Sequence, residues 1–274
     1  MLSLRGKPET LTRPLVMGIV NLTPDSFYAA SRVTEASETV KRVRAMIENG
    51  ADIIDIGACS TRPGSDSVEM EEEWNRLHKP LEAVRKAFPE AILSIDTFHA
   101  EIAGRCMETA GVEIINDVSG GGDLKMMETV ARHDACYILM HTRGTPKEMD
   151  NLSRYEDVTA DVVRELAFRL DEAREKGLCN VIVDPGFGFA KTTEQNFELL
   201  RNLDCLKILG CPILAGISRK RMTRNAGEYD AEDSLVSTIA LNTIALMNGA
   251  SIIRVHDVKE AAQTVRIVSR ILDI

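Results

Sequence analysis

Short aliphatic runs recur along the chain, each closed by Gly, Pro, Asn or Asp: residues 15–20 (LVMGIV), 51–57 (ADIIDIG), 91–96 (AILSID), 112–117 (VEIIND), 136–141 (CYILMH), 180–186 (NVIVDPG), 211–218 (CPILAGIS) and 251–257 (SIIRVHD). The eight runs are almost continuously apolar and rich in β-branched residues, the pattern of strands covered on both faces, as in a parallel sheet. Between them apolar residues return at helical spacing: Trp74, Leu77, Leu81, Val84 and Phe88, then Val158, Val162, Leu166 and Leu170, and later Phe197, Leu200 and Leu203. Such stripes predict amphipathic helices lying on the sheet. Gly50, Gly111 and Gly177 follow helical stretches and are expected to end them in the left-handed conformation.

Strand and helix therefore alternate, and eight β-then-α units with right-handed crossovers close into a (β/α)8 TIM barrel. A doubly wound sheet would more often show five or six strands and a glycine-rich fingerprint after the first. The 274 residues suit one such barrel. Residues 15–274 are assigned to it and residues 1–14 to a short extension across its N-terminal end. No low-complexity stretch or charge block offers a domain boundary.

Barrel enzymes carry their chemistry at the C-terminal ends of the strands, and the unusual polar segments of this chain gather there: NLTPDSF (21–27), DIGACSTRPG (55–64), SIDTFH (94–99), INDVSGGG (115–122), LMHTRG (139–144), VDPGFGFAKT (183–192), GISRKR (216–221) and IRVHDV (253–258). Asp96, Asn116, Asp117 and Asp184 close apolar strands, where an acceptor needs donors from the protein or from a ligand. A heterocycle with an amino group beside a ring N–H offers paired donors to one carboxylate; taken singly, each acidic residue also suits a helix N-cap or a loop hydrogen bond. Arg62, Arg143, Arg219, Lys220, Arg221, Arg254 and His256 give the same rim positive charge, as capture of a phosphate or diphosphate requires. Arg254 and His256 alternate on one strand and share a face.

Gly186 and Gly188 fit neither a Walker A loop nor a dinucleotide fingerprint, so their use is loop shape. Phe187 and Phe189 either fold over a flat ligand or pack the loop, and Met140 either lines a planar pocket or belongs to the core. NLTPDSF and STRPG have the composition of mobile covers, and equally of ordinary turns.

Composition narrows the partners. Lys plus Arg number 33 against 42 Asp plus Glu, a net charge of −9 that supplies no general attraction for nucleic acid or an anionic membrane. No stretch of about 18 apolar residues and no leader-like segment is present, which leads to an expected cytoplasmic location. The six cysteines form no CxxC pair and are expected to be reduced, mostly buried thiols. The five histidines form no HExxH pair, so neither zinc nor a thiol nucleophile is indicated, whereas Mg2+ bridged by a ligand phosphate fits.

MGIVNLTPDSF, DIGACSTRPG, SIDT, INDVSG, VDPGFGFAKT, GISRK and RVHD, in this order over residues 15–270, resemble the blocks of the pterin-binding barrel family. The first, second and seventh favour its dihydropteroate synthases over methyl-transferring relatives. The resemblance implies condensation of 6-hydroxymethyl-7,8-dihydropterin diphosphate with 4-aminobenzoate, release of diphosphate, competition by sulfonamides, Mg2+ on the diphosphate and a homodimer. By the same resemblance Asp96, Asn116 and Asp184 would hold the polar edge of the pterin, Lys220 would reach its carbonyl and ring nitrogen, Met140 and Arg254 would sandwich the ring, and Gly216 would leave it room. Asn21 would bind Mg2+ or diphosphate, and Arg254, His256, Asp25 and Arg62 would form the anion site. Phe27, Thr61, Arg62, Pro63, Phe189, Ser218 and Lys220 would shape the aminobenzoate pocket, with a helix N-terminus after Ser218 facing the carboxylate. The chain departs from the family's usual blocks at Tyr28–Arg32, Ala58-Cys59, Ala190 and Arg221.

Overall fold

The computed structural model describes residues 2–4, 7–9, 11–22, 29–59, 68–145, 148–225 and 234–274. Eight parallel strands follow the predicted runs: β1 (Leu15–Asn21), β2 (Ile53–Gly57), β3 (Ile92–Asp96), β4 (Ile114–Asp117), β5 (Cys136–Met140), β6 (Val181–Asp184), β7 (Leu214–Ala215) and β8 (Ile252–Val255). Neighbours in sequence are neighbours in the sheet from β1 to β6, and β8 lies between β1 and β7. A parallel bridge from Val183 to Ile213 joins β6 to the approach of β7 and closes the barrel.

Each strand feeds a helix: α1 (Ala29–Glu48), α2 (Met70–Ala87), α3 (Ala100–Ala110), α4 (Met126–Arg132), α5 (Val158–Glu175), α6 (Thr193–Arg201), α7 (Leu235–Met247) and α8 (Val258–Leu272). Their ends follow local chemistry. Asp157 caps α5 by accepting from Ala160 N, and Thr192 with Gln195 makes a reciprocal capping box on α6. Gly111 takes the left-handed conformation after α3, and Gly50 and Gly177 have positive φ at their turns. Val158, Val162, Leu166 and Leu170 are all buried. The Phe197–Leu203 stripe is split: α6 ends at Arg201, and Leu203 opens a separate 3-10 segment, Leu203–Leu209, while still reaching the core.

Alternation along the strands sorts the core into two parts. Ile54, Ile56, Leu93, Ile95 and Val183 face outward and pack under the helices. Met17, Ile53, Ile114, Cys136, Ile182, Leu214 and Ile252 face inward and form one apolar layer across the barrel. The first residues pair as a short antiparallel hairpin, Leu2–Leu4 with Lys7–Glu9. Its Leu4 joins the inner cluster from the N-terminal end, a burial that contributes about 2 kcal/mol. Among the cysteines only Cys106 and Cys136 are buried; Cys59 and Cys211 are half-buried and Cys179 and Cys205 exposed, which corrects the expectation of mostly buried thiols. Cys179 lies in the connection between α5 and β6, and Cys205 is on the outer side of the Leu203–Leu209 segment, whose Leu203, Leu206 and Leu209 take the buried positions.

Candidate active site

Two residues further along the inner face, the apolar position gives way to a different kind of side chain on six of the eight strands, while Met17 and Cys136 are followed by Ile19 and Ile138. Ile53 is followed by Asp55, Ile92 by Ser94, Ile114 by Asn116, Ile182 by Asp184, Leu214 by Gly216 and Ile252 by Arg254. Another step brings Asp96, Met140 and His256 to the mouth. In the sheet register Asp96 stands beside Asn116 and Met140 beside Asp184.

Arg254 organises one side of this mouth. Its Nε donates to Asp55 Oδ2 and its Nη2 to Asp96 Oδ2, both at 2.6 Å. Asp55, fully buried, also accepts from Ser94 Oγ at 2.6 Å and from Asn116 Nδ2 at 3.2 Å. That last bond fixes the orientation of the Asn116 amide and leaves its oxygen as an acceptor at the mouth. One guanidinium thus serves two carboxylates. Burial pushes the Asp96 carboxyl up to about 7, with Arg254 opposing and Asp55 reinforcing the shift. Burial alone would lower the Arg254 pKa, but Asp55 and Asp96 raise it, so it is a permanent cation.

Asp184 and Lys220 form the other side. Asp184 Oδ1 accepts from Gly186 N at 2.7 Å, and a Cβ on Gly216 would lie 3.7 Å from both Asp184 Oδ2 and Lys220 Nζ. The absence of a side chain at Gly216 therefore keeps the space between anion and cation open. Burial raises the Asp184 pKa against the pull of Lys220, and it lowers Lys220 to about 8 against the pull of Asp184. Lys220 Nζ donates to Phe187 O and sits 4.6 Å from the Phe189 ring centroid. Gly186 and Gly188 have positive φ, and a Cβ on Gly186 would come within 2.0 Å of His141 O, so the loop requires glycine there. Ser218 Oγ lies 3.1 Å from His256 Nδ1.

The mouth therefore gathers Asp96, Asn116, Met140, Asp184, Phe189, Gly216, Ser218, Lys220, Arg254 and His256, with Asn21 exposed at the end of β1. Asp25, Phe27, Thr61, Arg62 and Pro63 lie outside the described residues. Two alternatives that the sequence leaves open are decided. Asp117 turns away from the mouth, as the residue after inward-facing Asn116 must, and accepts from Ser119 and Gly121 in the following turn and from Tyr137 Oη on β5. Phe187 is fully buried, so it packs the loop and does not cover a ligand.

The positive rim is narrower than the sequence suggests, because Arg143 is held by Glu165 and by Arg154 O, and Arg219 by Asp257. The helix after Ser218 is only the short Arg221–Asn225, which offers little dipole toward a carboxylate.

Two residues escaped the sequence reading. Asp55 sits inside a run taken as uniformly apolar, yet period-two alternation with Ile53 would have marked it as inward-facing. Lys191 is buried behind the Gly186–Phe189 loop; a lysine two residues past a strand-end loop carries no comparable signal.

For metal, no group of three or more His, Cys, Asp or Glu side chains that could hold an ion occurs among the described residues. Asn21 supplies an amide oxygen, the hard donor that Mg2+ accepts, so this donor set fits an ion completing its shell with ligand phosphate and water, not a protein cage.

The class that emerges is a barrel enzyme whose mouth presents paired acceptors and half-buried cations, an arrangement that suits a flat, amide-bearing heterocycle. Comparison with known proteins gives it a family: residues 17–256 match the pterin binding enzyme family, and the chain belongs to it. It is 39% identical to the dihydropteroate synthase of Synechocystis sp., covering 93% of this chain and 89% of that one. It is also 39% identical to the mitochondrial folate synthesis bifunctional protein of Arabidopsis thaliana, of which it spans about half (49%). The crystal structure of Yersinia pestis dihydropteroate synthase with a sulfonamide drug complex superposes with a TM-score of 0.92 at 34% identity, over 100% of this chain and 99% of that one. The Thermus thermophilus enzyme in complex with 4-aminobenzoate gives 0.88 at 36% identity, covering 98% of each chain.

Proposed function

We infer that this chain is a dihydropteroate synthase, joining 6-hydroxymethyl-7,8-dihydropterin diphosphate to 4-aminobenzoate with release of diphosphate. The observation that carries this reading is the buried set of Asp96, Asn116 and Asp184 with the half-buried Lys220 around an open position at Gly216, in a chain alike over nearly its whole length to such synthases. Asp184 Oδ2, Asp96 and the Asn116 oxygen would receive the amino and ring N–H groups of the pterin, while Lys220 donates to its carbonyl and ring nitrogen. Met140 and Arg254 would flank the ring.

The C–O bond to the exocyclic methylene breaks with its electron pair leaving on diphosphate, and the aniline nitrogen supplies the pair for the new C–N bond before losing its proton. Asp96 and Asp184 favour the positive charge that develops on the pterin as the bond breaks. Arg254 and His256 would face the departing diphosphate, with Asp25 and Arg62 contributed by the two loops after β1 and β2. Asp25 or the diphosphate itself would accept the amine proton. Mg2+ held by Asn21 together with the diphosphate would neutralise charge there. The aniline is neutral at ordinary pH, so orientation and water exclusion by Phe27, Thr61, Pro63, Phe189 and Ser218 matter more than a strong base. Sulfonamides, which mimic 4-aminobenzoate, would compete for that pocket.

A diphosphate-release assay tests the reaction: diphosphate and dihydropteroate should appear together only when both substrates are supplied, and absence of release would overturn the assignment. The lowered Lys220 pKa makes a second prediction. The ammonium is charged below about 8 and lost above it, so kcat/KM should fall as pH rises through that value. Lys220→Arg should move the alkaline limb upward, whereas an unmoved limb would assign it to another group.

A homodimer is part of the same proposal. Val236, Ile244 and Met247 on α7 and Ile267 and Ile271 on α8 are exposed apolar side chains on two helices packed side by side, more than a monomer usually leaves to water. Ile267→Glu should shift the sedimenting species from dimer to monomer; an unchanged dimer would place the interface elsewhere. A reducing, cytoplasmic setting suits the six free thiols.

A further inference from the structure

The Gly186–Phe189 loop touches both halves of the Asp184–Lys220 side of the mouth. Gly186 N donates to Asp184 Oδ1, Phe187 O accepts from Lys220 Nζ, and the Phe189 ring lies under the same ammonium. What holds this loop from behind is a buried lysine. Lys191 Nζ donates to Gly186 O at 3.2 Å and to Phe189 O at 3.1 Å, the two ends of the loop, and its third contact is His141 Nδ1 at 3.0 Å.

The direction of that third bond follows from the neighbours. Glu165 Oε2 lies 3.1 Å from His141 Nε2 and also accepts from Arg143 Nε at 3.2 Å. A carboxylate can only accept, so the imidazole proton is on Nε2 and Nδ1 is left as the acceptor for the ammonium. Arg143 is fixed in turn by Arg154 O and by stacking 3.9 Å from the Tyr155 ring centroid. The lysine is thus fully used by neutral acceptors, with no carboxylate of its own, in a site where an ammonium is costly. Burial lowers its pKa to about 7, and stability alone does not account for an amine there, because an apolar side chain of similar volume often serves a buried position as well or better.

We propose that Lys191 is a positioning residue, which clamps both ends of the Gly186–Phe189 loop against His141, the residue just past β5, and thereby sets Lys220 and the Asp184 carboxylate at the geometry that receives the pterin. This rests on the pterin assignment above, so wild-type diphosphate release is measured alongside: its failure would remove that assignment, while an active wild type with unaffected variants would remove only the role of Lys191.

Lys191→Met should leave the thermal midpoint of the free protein equal or higher while raising the KM for pterin diphosphate tenfold or more, with a smaller fall in kcat. Lys191→Arg, which keeps a cationic donor, should recover part of the loss. His141→Leu removes the third anchor and should raise the same KM less. The double variant should bind no worse than Lys191→Met alone, because His141 acts through the lysine. A KM within twofold of wild type, a loss of activity that only parallels a lower thermal midpoint, or fully additive effects in the double variant would each overturn the proposal.

Discussion

Asp184→Asn is expected to weaken binding of the pterin diphosphate by about 3 kcal/mol, roughly 150-fold, with kcat/KM falling at least as far. The substitution is nearly isosteric, so the loss comes from charge and from acceptor geometry. Asp184 Oδ1 is already committed to Gly186 N, leaving Oδ2 to face the space beside Gly216. An amide turned to preserve the bond to Gly186 presents its NH2 to that space, donor against donor. The half-buried Lys220 ammonium loses the anion that most favours its charge in the same step, and so becomes easier to deprotonate. Titration calorimetry with pterin diphosphate measures the effect. A loss of less than fivefold would mean that the pterin edge is read elsewhere.

Arg254→Met should be the most damaging change to the fold. It leaves Asp55 and Asp96 facing each other in a buried site without their shared cation, a loss of the order of 3–5 kcal/mol. The pH dependence carries the signature. Carboxyls held protonated in the folded state ionise near 3.9 when unfolded, so the unfolded chain releases protons first. Stability therefore declines as pH rises from about 4 through the raised folded pKa, and is flat above it. Burial already pushes Asp96 up to about 7 in the wild type; the variant should carry the decline to higher pH, because the cation that opposes the rise is gone. Urea titrations at several pH values read it directly. Adding Asp55→Asn should restore part of the stability and none of the turnover. Equal stability of Arg254→Met and wild type across pH would sink this account.

The architecture was legible because each strand carries its own evidence: a run such as Cys136–Met140, buried at every position, has no other place to go in a protein of this size. The inward-facing polar residues were legible where they ended a run, as Asp96 and Asp184 do. They were lost where polarity was internal, as at Asp55, whose meaning depends on Ser94, Asn116 and Arg254 from three other strands. Charges misled for a related reason. Arg143 and Arg254 both count as rim cations in the sequence, though only Arg254 shares a strand face with His256, and one is pinned to Glu165 on α5 and the other to carboxylates inside the barrel. Sign is local to the residue, but direction is set by partners far along the chain.

The Arg254 bridge also dictates an order of events during folding. Its two anions lie 199 and 158 residues upstream, so strands β2 and β3 leave synthesis long before the cation that neutralises them. Until β8 arrives, a collapsed N-terminal half would have to bury Asp55 and Asp96 uncompensated, which favours keeping that end of the nascent barrel hydrated and open. Closure of the barrel and assembly of its catalytic mouth thus coincide in the last part of the chain to be made, and a polypeptide truncated before Arg254 would lack both.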